Sequence, residues 1–150
     1  MADYKQYVNL LLDEEKYGID IMDIEEILRM IEITKVPKAP SFVEGIINIR
    51  GKVIPIVDLR KKMGIIANEY TNSTRIIVVN LKGKQVGLIV DHVEEVLRVE
   101  DGLVDKAPAA STSVDNAYIK GVARLQTGMV IIFDIHQIFG SGEANALDMF

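Results

Sequence analysis

The chain has 150 residues, a formal net charge of −5, 49% hydrophobic and 26% charged residues, and no cysteine. One domain of that size buries roughly 70% of its unfolded surface, so a substantial single core is within reach and two full domains would be cramped. The composition excludes disordered and collagen-like chains, the missing cysteines exclude disulfides, thiolate metal sites and a thiol nucleophile, and the acidic balance argues against nucleic acid and anionic membranes.

The first stretch, MADYKQYVNLLLDEEKYG, lacks the basic start and small-residue cleavage site of a secretory signal. No apolar run approaches the roughly 18 residues of a membrane span, so a cytoplasmic protein without direct membrane insertion is expected. In chain order, Tyr7 to Asp13 and Tyr17 to Ile21 flank a polar turn at Glu14 and Glu15 and predict a hairpin. Ile24, Ile27, Leu28 and Ile31 recur at spacings of three and four, which predicts a short amphipathic helix over Asp23 to Met30. Pro37 and Pro40 then break the chain.

Ile46, Ile47 and Ile49, followed by Val53, Ile54, Ile56 and Val57, predict two buried strands that reverse at Arg50, Gly51 and Lys52. Gly51 supplies the backbone freedom for the turn, and Pro55, lacking an amide donor, points to an edge strand or a bulge. A short helix is expected at Leu59 to Met63. Arg50, Lys52, Arg60, Lys61 and Lys62 form a local basic cluster, read as a solvated turn and helix face. Arg75 to Leu81 and Gln85 to Val90, around Lys82-Gly83, predict a second hairpin, again followed by a helix-like segment, HVEEVLRV. A last short helix is expected near the end.

The chain repeats itself. Shifted by 69, YGIDIMDIEEILRM (17–30) falls on VGLIVDHVEEVLRV (86–99) without a gap, and shifted by 76, FVEGIINIRGKVIPIVDLRKKMG (42–64) falls on YIKGVARLQTGMVIIFDIHQIFG (118–140). Gly18 meets Gly87, Gly45 meets Gly121 and Asp58 meets Asp134. Two matches in the same order imply two copies of one unit, the second carrying an insertion within 101–117. Each copy contains about five short strands with glycine-bearing turns, a pattern that favours small barrels, whose closure hides strand edges. The expected fold is therefore mainly all-β, two similar small barrels packed on a shared apolar seam with a few short helices, because neither copy of about 70 residues buries a large core alone. A single domain is expected over 1–140, with 141–150 as a flexible tail.

In the second copy Gln126, Thr127 and Gly128 stand where the first has Arg50, Gly51 and Lys52. The fold does not need the arginine, which makes Arg50 a contact candidate. Enzyme constellations are missing. His92 and His136 have no metal-ligand spacing, no GxSxG elbow completes a dyad of Asp134 with His136, and GIINIRGKV departs from a phosphate-binding loop. The pairs Glu25-Glu26 and Glu94-Glu95, read as helix neighbours, diverge around the axis and are expected on solvated faces, one member pairing with an arginine.

YGIDIMDIEEIL, VPKAPSFVEGIINIRGKVIPIVDLRKKMG and VGLIVDHVEEVLRV, in this order, resemble CheW, the adaptor family of bacterial chemotaxis arrays. The resemblance runs from about Tyr7 to Gly140, with NIRGKVIPIVDLR its most specific part. It implies two intertwined SH3-like barrels, no catalysis, no cofactor, and two partners. These are the cytoplasmic tip of transmembrane chemoreceptors and the regulatory domain of the histidine kinase CheA, with recruitment to arrays at the inner face of the membrane. Carried onto this chain, the resemblance implies receptor-side contacts at Ile24, Glu26, Arg50, Val90 and Val93, with Glu26 as Arg50's ion-pair partner, and kinase-side contacts at Ile33, Val36 and Phe42. A CheV-like adaptor or the regulatory part of a kinase is the alternative within the fold, and an oligonucleotide-binding barrel a more distant one.

Overall fold

Apolar runs such as RIIVVNL and KQVGLIV have almost no polar alternation, which marks strands covered on both faces. The computed structural model describes residues 3–66, 69–106, 118–139 and 147. Their strands are β1 (Tyr4–Leu12), β2 (Glu15–Asp20), β3 (Ile24–Arg29), β4 (Val43–Ile49), β5 (Lys52–Asp58), β6 (Arg75–Leu81), β7 (Lys84–Val90), β8 (His92–Glu100), β9 (Val104–Asp105), β10 (Ile119–Leu125) and β11 (Gly128–Phe133). A single helical turn, α1 (Leu59–Lys62), follows β5, and 3-10 turns occupy Ile21–Asp23, Asp101–Leu103 and Ile135–Gln137.

Two sheets result, one ordered β8-β1-β2-β11-β10-β9 and the other β3-β6-β7-β5-β4. The duplication equates β3 with β8, β4 with β10, β5 with β11 and the hairpin β1–β2 with β6–β7, so the two orders are the same after exchanging copies. Each sheet takes its central hairpin from the other copy. The exchanged hairpins are stitched in by the two parallel pairings, β2 with β11 and β5 with β7. The chain crosses between sheets twice, from β2 to β3 through Ile21–Asp23 and from β7 to β8 at Asp91. The intertwining is thus a strand exchange between repeats.

Each sheet curls until the chain leaving one edge strand reaches the other edge. After β3, Thr34 bridges Ile46 of β4 through hydrogen bonds of 2.9 and 2.8 Å; after β8, β9 pairs with β10. Glycines permit these approaches: a Cβ on Gly45 would collide with the Thr34 carbonyl, and one on Gly121 would lie 2.6 Å from that of Asp105.

The core has three parts. Barrel interiors are formed by Ile47, Ile54, Ile56, Ile76, Val78 and Ile89 on one side and Tyr7, Val99, Ala123, Val130 and Ile132 on the other. Between the barrels runs the seam, where Leu10, Tyr17, Ile19, Val57, Ile77, Val79, Leu88 and Phe133 pack. Ile76 and Val78 of β6 face a barrel interior while Ile77 and Val79 face the seam, which is why both faces of that strand are apolar. Tyr17 and Phe133 stack at 4.7 Å across the exchanged strands.

The expected helix over Asp23 to Met30 is instead the 3-10 turn and strand β3, and HVEEVLRV is strand β8. Along β3 exposure alternates with period two, and β6 supplies the backbone partners that a solitary helical turn would lack. The helix expected at Leu59 to Met63 is present as α1. Pro55 lies on an inner strand, tolerated because the ladder to β7 begins only at Ile56; a bulge at Val43/Gly45 faces Val57 and Ile56. All of the predicted tail except Leu147, and most of the predicted insertion, lie outside the described residues. Leu147 is described and is buried in the seam.

Candidate docking surfaces

At the β4–β5 turn Ile49 pairs with Lys52, leaving Arg50 and Gly51 as a two-residue loop with φ of 51° and 83°. Both are left-handed, as a type I′ hairpin requires, and Asn48 Oδ1 accepts the Gly51 amide at 3.0 Å. Asparagine or glycine suits the first position better than arginine, so Arg50 sits there against its backbone preference. Its guanidinium reaches Glu26 on β3, with Nη2 to Oε2 at 2.8 Å and Nη1 to Oε1 at 3.3 Å. Strand β3 and the β4–β5 hairpin lie at opposite ends of the sheet order, so this forked pair spans the barrel mouth. The side chains remain 74% and 32% exposed. The hydrogen bond from Arg50 holds the Glu26 carboxyl below the usual carboxylate range. Glu25 points elsewhere, accepting from Asn80 at 2.9 Å and from Gln85, and is lowered by those bonds. The twin barrel has Glu95 and Gln126 at the positions of Glu26 and Arg50.

Ile24 and Val93 are equivalent under the duplication, each half-buried against the seam and each following a crossing. Val90 differs. Predicted to line the receptor side, it is 0% exposed inside the seam, because every apolar residue of VGLIV is covered on one face or the other, so it presents no surface of its own. Ile33 covers Gly45 within the first barrel, whereas Phe42 packs against the seam beside Phe139, at 5.8 Å between rings, under the Lys62 ammonium at 5.9 Å. Val36 is half-buried on the segment joining them. The three do not share one apolar cluster.

The basic cluster is not one solvated face. Arg60 is buried: its guanidinium bonds Asp91, Asp13 at 3.4 Å and the Ile66 carbonyl at 2.6 and 2.9 Å. Lys61 pairs with Glu44 at 2.5 Å, and Lys62 hydrogen-bonds Tyr118. Asp58 caps α1 by accepting the Arg60 amide at 3.0 Å and also accepts from Tyr70 at 3.0 Å; burial raises its carboxyl above the ordinary value. Asp134 and His136 form no catalytic dyad. Asp134 Oδ1 accepts the His136 backbone amide, while the imidazole meets Asp23 at 3.2 Å.

The arrangement puts surfaces of unequal chemistry on two near-equivalent barrels. A family model described as CheW-like domain matches residues 6–143. The chain belongs to the CheW family. The chemotaxis protein CheW of Treponema pallidum is 35% identical over 148 residues, covering 95% of this chain and 86% of that protein. CheW of Thermotoga maritima is 36% identical over 130 residues, covering 85% and 82% respectively. The crystal structure of scaffolding protein TtCheW from Thermoanaerobacter tengcongensis superposes with a TM-score of 0.86 at 39% identity, over 95% of this chain and 92% of that one. Membership in the CheW family makes this a chemotaxis adaptor built on the two-sheet scaffold described above. Among the described residues no helix is long and apolar enough to cross a membrane.

Proposed function

We propose that the chain couples chemoreceptor cytoplasmic tips to the regulatory domain of CheA, by binding rather than catalysis, in arrays at the inner face of the membrane. The observation that carries this reading is Arg50. A left-handed, exposed arginine spans a barrel mouth to Glu26, while its twin position holds glutamine. Left-handed φ is shared by Asp13, Glu14, Lys38 and Lys82, so what distinguishes Arg50 is the forked pair with Glu26 and its absence from the twin turn. Ile24, Glu26, Arg50 and Val93 form the receptor side, an apolar contribution flanked by a forked donor that fixes register. Ile33, Val36 and Phe42 form the kinase side, where small contacts repeated through an array gain strength from effective concentration.

Binding of the full chain to a receptor cytoplasmic fragment and to the CheA regulatory domain, with thermal melts alongside, tests the reading. Wild type is expected to bind both, and Arg50→Ala to melt normally while losing the receptor fragment. Failure of wild type to bind either partner would overturn the reading. A fall in melting temperature that accounts for the lost binding would reduce Arg50 to a structural residue.

A further inference from the structure

Under the duplication Arg60 and His136 are the same position, the second residue of a short helical turn that follows β5 or β11. Both turns are capped alike. Asp58 accepts the Arg60 amide at 3.0 Å and Asp134 accepts the His136 amide at 3.1 Å, so the two side chains leave equivalent caps. Arg60 reaches Asp91, where the chain passes from β7 to β8, and His136 reaches Asp23, where it passes from β2 to β3. These are the two crossings between the sheets.

The grips are unequal. Arg60 is 5% exposed and also holds Asp13 and the Ile66 carbonyl, and Asp91 in turn accepts the Asp13 amide at 2.8 Å, so four segments meet around Arg60. His136 and Asp23 share a single 3.2 Å contact, with side chains 37% and 29% exposed. Ile24 and Val93, both half-buried against the seam, follow these crossings.

We propose that Arg60–Asp91 and His136–Asp23 are an unequal pair of latches setting the placement of the two barrels, and that the His136 latch is the one that yields. The first crossing then serves as the hinge by which the Ile24 wall adjusts to a docked helix. Only this last step rests on the proposed receptor docking.

Hydrogen–deuterium exchange on the full chain decides it. Asp23→Asn is expected to speed exchange of the 21–24 amides about threefold and to leave 91–93 unchanged, the scale of one exposed pair. His136→Arg, which copies the other latch, is expected to slow 21–24 by a similar factor. Asp91→Asn is expected to speed 91–93 and the β1–β2 turn together. Equal exchange at 21–24 in wild type, Asp23→Asn and His136→Arg would overturn the proposal, as would an Asp23→Asn effect spread evenly over both crossings. Weaker binding of a receptor fragment by His136→Arg supports the hinge, and unchanged binding with slowed exchange refutes it. A fragment that ignores wild type as well counts against the docking reading, and the exchange rates still decide the latches.

Discussion

Gly45→Ala tests whether barrel closure depends on the close approach of Thr34. With φ at 154° and the built Cβ overlapping the Thr34 carbonyl and lying 2.7 Å from Ile33 Cγ2, the strap after β3 has to move away from β4. That movement breaks the two Thr34–Ile46 hydrogen bonds of 2.9 and 2.8 Å. At about 1 kcal/mol for each bond and about 1 kcal/mol for the backbone conformation, the loss is about 3 kcal/mol. For a chain of this size that lowers the melting temperature by roughly 6 to 12 °C. Gly51→Ala is the control, because φ is 83° but nothing lies within 4 Å of its Cβ, leaving only the conformational cost of about 1 kcal/mol and a fall of about 2 to 4 °C. Melting by circular dichroism measures both. If Gly45→Ala loses no more than Gly51→Ala, the closing bridge does not stabilise the barrel and the packing argument is wrong.

Arg60→Ala removes the donor at the meeting point of four segments; with Asp91 still partly hydrated the cost is expected at about 2 to 3 kcal/mol, read as a lower urea midpoint. Val90→Ala, wholly inside the seam, is expected to lose about 2 kcal/mol of stability while the folded protein binds its partners unchanged; binding loss without destabilisation would restore Val90 as a contact. Because burial raises the Asp58 carboxyl, its titration favours the fold at pH below the ordinary carboxylate value, and that contribution is lost as pH rises through the raised value. Asp58→Asn, which keeps a cap acceptor, should therefore gain on wild type in urea midpoint between pH 3.5 and 7, and parallel pH curves would refute the assignment. Arg50→Gly relieves a left-handed arginine and is expected to melt at the same temperature or about 2 to 4 °C higher while losing receptor binding; a lower melting temperature would contradict the strain argument.

Legibility in the sequence was set by how local each feature is. The duplication could be read because glycines recur where a Cβ cannot fit: Gly18 would press on Ile132 Cδ1 at 3.0 Å and Gly87 on the equivalent Ile56 Cδ1 at 2.5 Å. The exposure of Arg50 is also accessible, since a glycine turn places it at the surface and the twin lacks it, whereas Glu26 as its partner comes from the family resemblance. The character of β3 was not. Ile24, Ile27, Leu28 and Ile31 satisfy a helical period, and Ile24 with Leu28 satisfies a strand period equally well; the decision lies with β6, about fifty residues away and in the other copy. Strand exchange is hidden for the same reason, because a hairpin's local pattern does not say which of two similar sheets it enters. Arg60, set beside Lys61 and Lys62, carries the local pattern of a solvated face although it is buried. The available signal was its twin, since Asp58-Leu59-Arg60 and Asp134-Ile135-His136 both place a donor two residues after a capping aspartate.

Exchanging hairpins between copies has a consequence for an adaptor. Each interior must accept a hairpin from the other repeat, so interiors stay alike: Ile54 and Val130, Ile56 and Ile132, Leu28 and Leu97 occupy matching places in the two barrels. No such constraint acts where side chains meet solvent. There the copies differ, with Arg50 against Gln126 at the turn and Val53 against Met129 on the returning strand. Surfaces of unlike chemistry on frames of like shape confine the proposed Arg50–Glu26 receptor contact to one of the two barrels. The seam couples the two barrels because it is the largest apolar cluster and both hairpins run through it, so a partner that shifts one barrel must work against packing shared by the other.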